Sequence, residues 1–255
     1  MHARLISVVA GGMVAMGAAT QALATFFSFA SDTNPATFTF AGTAGNTSGE
    51  FLISDFSRPN SYQLVIDDNN GPLPALQLSV EFHASLTASA GQTVALGGSR
   101  YLHMYDVSGT FGFYDAQGNA LLTASVGPSA GSLIVPGTQH AWSTTGAVLG
   151  ADSFADVTYT VSQRLVDLLG GELAAGKYGI VVGTSAVGGT DDFGFDLTVI
   201  NGIADGLGVA IDAQTQAPTG AWQSESSFSG SALVPAPGTA MALGLGLLAV
   251  RRRRR

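Results

Sequence analysis

Gln77-Leu78-Ser79-Val80-Glu81-Phe82 places apolar side chains at 78, 80 and 82 and polar ones at 77, 79 and 81. A period of two puts each set on its own face of an extended strand, which a helical period of 3.6 could not do. The same alternation returns at Thr37-Phe38-Thr39-Phe40, at Asp156-Val157-Thr158-Tyr159-Thr160-Val161 and at Phe193-Gly194-Phe195-Asp196-Leu197. Further runs suited to strands are Glu50 to Phe56, Tyr62 to Ile66, Arg100 to Tyr105, Thr110 to Tyr114, Leu121 to Val126 and Tyr178 to Val182.

Between these runs lie turn-forming groups at the short spacing of an all-β chain. Asp67-Asp68-Asn69-Asn70-Gly71-Pro72 carries an Asn-Gly pair that tolerates positive φ, and Asp115-Ala116-Gln117-Gly118-Asn119 reads as a hairpin loop. One short helix is expected over Ser162 to Leu169, stopped by Gly170-Gly171. With so little helix available, the apolar face of one sheet is covered most readily by a second sheet. The expected fold is an antiparallel β-sandwich over residues 25–212, the jelly roll being one form of it. Residues 213–233, rich in Gln, Ser, Thr and Ala, are expected to be a last strand or a linker.

The chain has 255 residues, 46% of them hydrophobic and only 11% charged, so a buried core is covered mainly by small polar groups. Apart from Arg4 and Arg251 to Arg255, its basic residues are Arg58, Arg100, Arg164 and Lys177, against eighteen acidic ones. The formal charge of that body is therefore −14, where the whole chain carries −8. An acidic body repels phosphate, which argues against a nucleic-acid partner. The absence of cysteine excludes disulfides and thiol catalysis.

The first 24 residues have the order of a secretory signal peptide: Arg4, an apolar run from Leu5 to about Ala19, then Ala22-Leu23-Ala24. Cleavage is expected between Ala24 and Thr25. At the other end Leu233 to Val250 is uncharged, with Pro235 and Pro237 at its start and glycines at 244 and 246. A helix over Gly238 to Val250 would be roughly 20 Å long, short of the ~30 Å hydrocarbon core of a bilayer. Five arginines, Arg251, Arg252, Arg253, Arg254 and Arg255, follow it, and their charge holds them on the cytoplasmic face.

Val234-Pro235-Ala236-Pro237, the apolar segment and the arginine block together resemble the PEP-CTERM sorting signal of bacteria. The pattern departs from that signal at Ala236, where its name has glutamate. The resemblance implies an exosortase as partner, transient residence at the inner membrane, and removal of residues 234–255 near the proline motif. It implies release or attachment at the cell surface, in the manner of an extracellular-matrix protein.

For chemistry the candidates are few. Asp67 and Asp68 in one turn, and Asp191 and Asp192 in another, offer oxygen ligands for calcium, although the first lacks the spacing and closing glutamate of an EF-hand loop. His83, His103 and His140 show no paired spacing of the kind that zinc needs. No G-x-S-x-G elbow supports a serine triad, and Glu50, Glu81, Glu172 and Glu225 select no glycosidase pair. Trp142, Trp222, Tyr101, Tyr105 and Tyr114 could stack on sugar rings or fill the core. The sequence therefore leads to an exported, non-enzymatic surface or matrix protein without a required cofactor. A carbohydrate-binding or adhesive module, with extracellular polysaccharide as partner and calcium as an aid, is the alternative.

Overall fold

The computed structural model describes residues 25–30, 38–55, 62–67, 73–151, 156–185, 191–203 and 208–232. The expected signal segment, residues 1–24, the expected sorting tail, residues 234–255, and Asp68 lie outside these residues. Among the described residues no helix is long and apolar enough to cross a membrane.

The chain is all-β, as the alternation requires. Its strands are β1 (Thr25–Ala30), β2 (Phe38–Gly42), β3 (Phe51–Asp55), β4 (Tyr62–Asp67), β5 (Leu76–Gly97), β6 (Arg100–Tyr114), β7 (Ala120–Thr138), β8 (Ala141–Trp142), β9 (Ala147–Ala151), β10 (Val157–Val161), β11 (Gly183–Thr184), β12 (Asp192–Gly202) and β13 (Trp222–Ala232). All belong to one antiparallel sheet. Its pairings run β5–β6–β7–β9–β12–β13–β2–β3 and return to β5, so the sheet closes on itself. β1 and β4 bridge β13 to β5 a second time, farther along both strands.

Closure follows from strand length. β5 pairs with β4 through residues 76–80 and with β3 through 85–88, while its other edge follows β6 almost throughout. β7 pairs with β10 through 122–126 and with β9 through 132–134. Between those halves Gly127-Pro128-Ser129-Ala130 stands opposite the single residue Ser108, and Ser129 has φ 57°. A proline cannot donate to the ladder, so the strand turns the corner there. The runs Arg100 to Tyr105 and Thr110 to Tyr114 are one strand, bent at Gly109 with φ 135°.

Apolar positions of the alternating strands meet across the interior. Phe195 of β12 stands 5.1 Å from Phe40, 5.7 Å from Phe82, 5.3 Å from Phe111 and 5.0 Å from Phe228, centroid to centroid. Phe228 is the register partner of Phe195 on the adjacent β13, whereas Phe82 and Phe111 come from β5 and β6, which do not pair with β12, so those two contacts reach across the interior. Edge-on aromatic pairs of this kind contribute ~0.5–1.5 kcal/mol each beyond their burial.

The short helix is where its signals place it. α1 (Gln163–Leu168) is capped by the Ser162 hydroxyl, which accepts from Leu165 N–H at 3.2 Å, and it is followed by Gly170 and Gly171 at φ 95° and 92°. The hairpin at Asp115 also forms: one carboxylate oxygen accepts from Gln117 and Asn119 N–H, and Arg164 of α1 donates to the other at 2.9 Å.

The strand expected over Tyr178 to Val182 is not present. α2 (Glu172–Ala175) leads into a 3₁₀ turn, Gly176–Tyr178, and Gly179 takes the left-handed conformation with φ 74°. The Tyr178 hydroxyl donates to Pro74 carbonyl at 2.8 Å, a distant anchor invisible to local pattern, and pairing begins only at Gly183. β13, within the segment expected to be strand or linker, has β12 on one edge and β2 and β1 on the other.

Candidate binding surfaces

Asp67 and Asp192, one from each acidic turn, lie at one end of the sheet but do not converge. Across neighbouring strands Asp67 is in register with Phe26, Phe26 with Ser231, and Ser231 with Asp192. Three strand steps separate Asp67 from Asp192, about 14 Å along the sheet. That span is too long for both carboxylates to touch one calcium, whose ligands lie ~2.3–2.6 Å from it. Asp192 has local work: its Oδ1 accepts from Ser231 N–H and Oγ–H, both at 2.8 Å. Asp191 is buried, 1% exposed. Among the described residues no group of three or more His, Asp or Glu is placed to hold a metal.

Each histidine has a different setting. His83 projects outward from β5, with Nδ1 3.1 Å from Asp55 and Nε2 3.9 Å from Glu81. Its two nitrogens face two different carboxylates, so the ring bridges them and no common ligand point exists. His140 is exposed in the turn between β7 and β8. His103 is fully buried on β6; its Nε2 faces Thr138 carbonyl at 2.8 Å and its Nδ1 faces Thr93 Oγ1 at 3.2 Å. Burial lowers its pKa below the ordinary histidine value, and the bond to Thr138 only partly offsets this.

The aromatic candidates divide sharply. Trp142, Trp222 and Tyr105 are core residues: the tryptophan rings lie 5.1 Å apart, Trp142 Nε1 donates to Tyr105 hydroxyl at 2.9 Å, and that hydroxyl donates to Gln216 carbonyl at 2.6 Å. Burial raises the Tyr105 pKa far above that of a free phenol. Tyr114 meets His83 edge to face, 5.0 Å between centroids. Tyr101 and Trp142 border a concavity formed by described residues.

Two concavities are formed by described residues. A groove of about 650 Å³ runs over the outer face of the sheet beside Asp106, Ser129, Ser132, Val148, Gly150 and Gly194. It follows one register row, Asp106–Ser132–Gly150–Gly194–Ser229, in which small side chains leave the backbone uncovered. A second cleft of about 430 Å³ opens beside Leu96, Arg100, Tyr101, Thr138, Trp142 and Ser143. Sequence reading missed Arg100 and the glycine row. A lone arginine and scattered glycines acquire meaning only once strands far apart in the chain are laid side by side.

Comparison with protein-family models, with curated proteins and with solved structures found no match to this chain.

Proposed function

We propose that the chain is an exported, non-enzymatic surface or matrix protein whose closed antiparallel sheet is of the β-sandwich class and whose tail is a disposable sorting signal. The observation that carries this reading is the junction between them. β13 ends at Ala232, and Val234-Pro235-Ala236-Pro237 begins two residues later. β13 is held on both edges, so the sheet needs the chain as far as Ala232. Processing at the proline motif would spare every described strand. An exosortase and the inner membrane are the partners in sorting. Mass spectrometry of the protein recovered outside the cell is expected to show Thr25 as first residue and residues 251–255 missing. Recovery of extracellular protein that retains Arg255 would refute the processing.

A glycan-binding role for the body is a second reading, favoured by the two uncovered concavities. Binding of the full chain to a polysaccharide array, measured with and without calcium, tests it. Absence of binding in both conditions would reject it.

A further inference from the structure

We propose that the cleft beside Tyr101 is a site for a carboxylate-bearing saccharide, a uronate unit of an acidic polysaccharide, with Arg100 taking the carboxylate. This rests on the glycan-binding reading and narrows it to one site and one ligand class.

The cleft is shaped by register. Ala95 of β5 pairs with Tyr101 of β6, Tyr101 with Gly137 of β7, and Gly137 with Trp142 of β8. Residues opposite one another on adjacent strands project from the same face, so Tyr101 and Trp142 flank Gly137 at two strand spacings, ~10 Å apart. Gly137 contributes no side chain between them, and a Cβ there would overlap the carbonyl oxygen of Ala141. The gap between the two aromatic residues is thus required by the close approach of β8.

The walls suit a sugar. Trp142 is 3% exposed and fixed by its bond to Tyr105, so it offers a rigid edge. Leu96, at the bulge between Ala95 and Gly97, is 52% exposed and supplies aliphatic surface at the rim. Pyranose rings present C–H faces that pack on such surfaces and a rim of hydroxyls that seek hydrogen bonds, here from Thr138 and Ser143.

The charge selects the sugar. Of the four basic residues of the body, Arg164 is committed to Asp115, whereas Arg100 is exposed and, among the described residues, lies within ion-pair reach of no carboxylate. The cleft lining contains neither Asp nor Glu. Its segments come from stretches of chain without acidic residues, between Glu81 and Asp106 and between Asp115 and Asp152. A guanidinium fork at the mouth of an uncharged aromatic cleft matches a carboxylate in geometry as well as sign. Exposed charges farther than a Debye length, ~8 Å at physiological salt, from Arg100 are largely screened from a bound carboxylate.

Calorimetric titration of the full chain in EDTA, with tri-galacturonate, the matching neutral galactose trisaccharide and triglutamate, tests this. Tri-galacturonate is expected to bind, and Arg100→Gln, at an exposed position, to weaken it about tenfold or more, the usual effect of losing a charge-assisted hydrogen bond. Tyr101→Ala should also weaken it, and Glu172→Gln, on exposed α2, should not. If saccharides bind but Arg100→Gln has no effect, or the neutral trisaccharide binds equally well, the site assignment falls while glycan binding stands. If no saccharide binds, both fall. Binding of triglutamate as tight as that of tri-galacturonate would overturn the saccharide assignment.

Discussion

Thr93 and Gln216, 123 residues apart in the chain, meet where the Thr93 hydroxyl donates to Gln216 Oε1 at 2.9 Å. Gln216 holds a left-handed conformation, φ 58°, and its side-chain Nε2 donates to Ala213 carbonyl at 2.9 Å. The same residue takes the Tyr105 hydroxyl on its carbonyl oxygen. One residue thereby pins the loop 212–219 over the end of the core. The Thr93 oxygen also faces His103 Nδ1, and a hydroxyl has one proton to give.

That contact predicts a pH dependence. With Nε2–H donated to Thr138, a neutral His103 has no proton on Nδ1, and burial opposes adding one. The folded pKa lies below the unfolded value of about 6.5, so the stabilising contribution is complete above that pH and is lost as pH falls through the folded pKa. Urea unfolding is expected to show stability declining from pH 7.5 toward pH 5, with a shallower decline in His103→Asn. An identical decline in the variant would rule out His103 as its source.

Asp115 adds a second loss on the same acid side, at lower pH. The Asn119 side chain foremost, then the N–H groups of Asn119 and Gln117 and the Arg164 guanidinium, hold its pKa at about 2 against the opposing effect of burial. A depressed carboxyl contributes stability above its unfolded pKa of ~3.9 and loses it as pH falls through the folded value. Asp115→Ala should lower the urea midpoint at pH 7 and flatten the change between pH 4 and pH 2. Arg164→Gln, which removes one of several partners, should do less.

Gly42 is predicted to be intolerant of any side chain. A Cβ there would overlap the indole of Trp222, which is itself 1% exposed and cannot yield. Gly42→Ala should cost about 1–3 kcal/mol, the usual range for overpacking. Gly220→Ala, with no atom within 4 Å of its Cβ, is the matched control and should change the thermal midpoint little.

Phe195 is the centre of the aromatic core. Phe195→Ala removes contacts to Phe40, Phe82, Phe111, Phe193 and Phe228 together and should destabilise by roughly 3–5 kcal/mol. Leu52→Ala, at a 53% exposed position of β3, should change stability by less than about 0.5 kcal/mol. Chemical denaturation of both variants measures the contrast, and a similar loss from each would contradict the placement of the core.

Much of the local architecture was legible in the residues. Val157, Tyr159 and Val161 alternate with outward threonines and are buried as expected, and Ser162 with Gly170-Gly171 brackets α1. The failure at Tyr178 to Val182 has a tertiary cause. Tyr178 is claimed by Pro74, 104 residues away, and glycines 176 and 179 allow the chain to turn there. The candidate sites were less legible. His103 and His83 both lie on alternating strands, yet one is fully buried and the other bridges two surface carboxylates.

The sequence alone determined the all-β character, the capped helix, the Asp115 hairpin and the acidity of the body. These depend on side-chain period, capping groups and charge, all properties of neighbours in the chain. Only the tertiary structure decided that the sheet closes, that Asp67 and Asp192 stand three strands apart, and that Tyr101, Gly137 and Trp142 align beside Arg100. Alternation specifies which face a residue takes but not which strand lies opposite. Partner and register are set by the packing of the whole core.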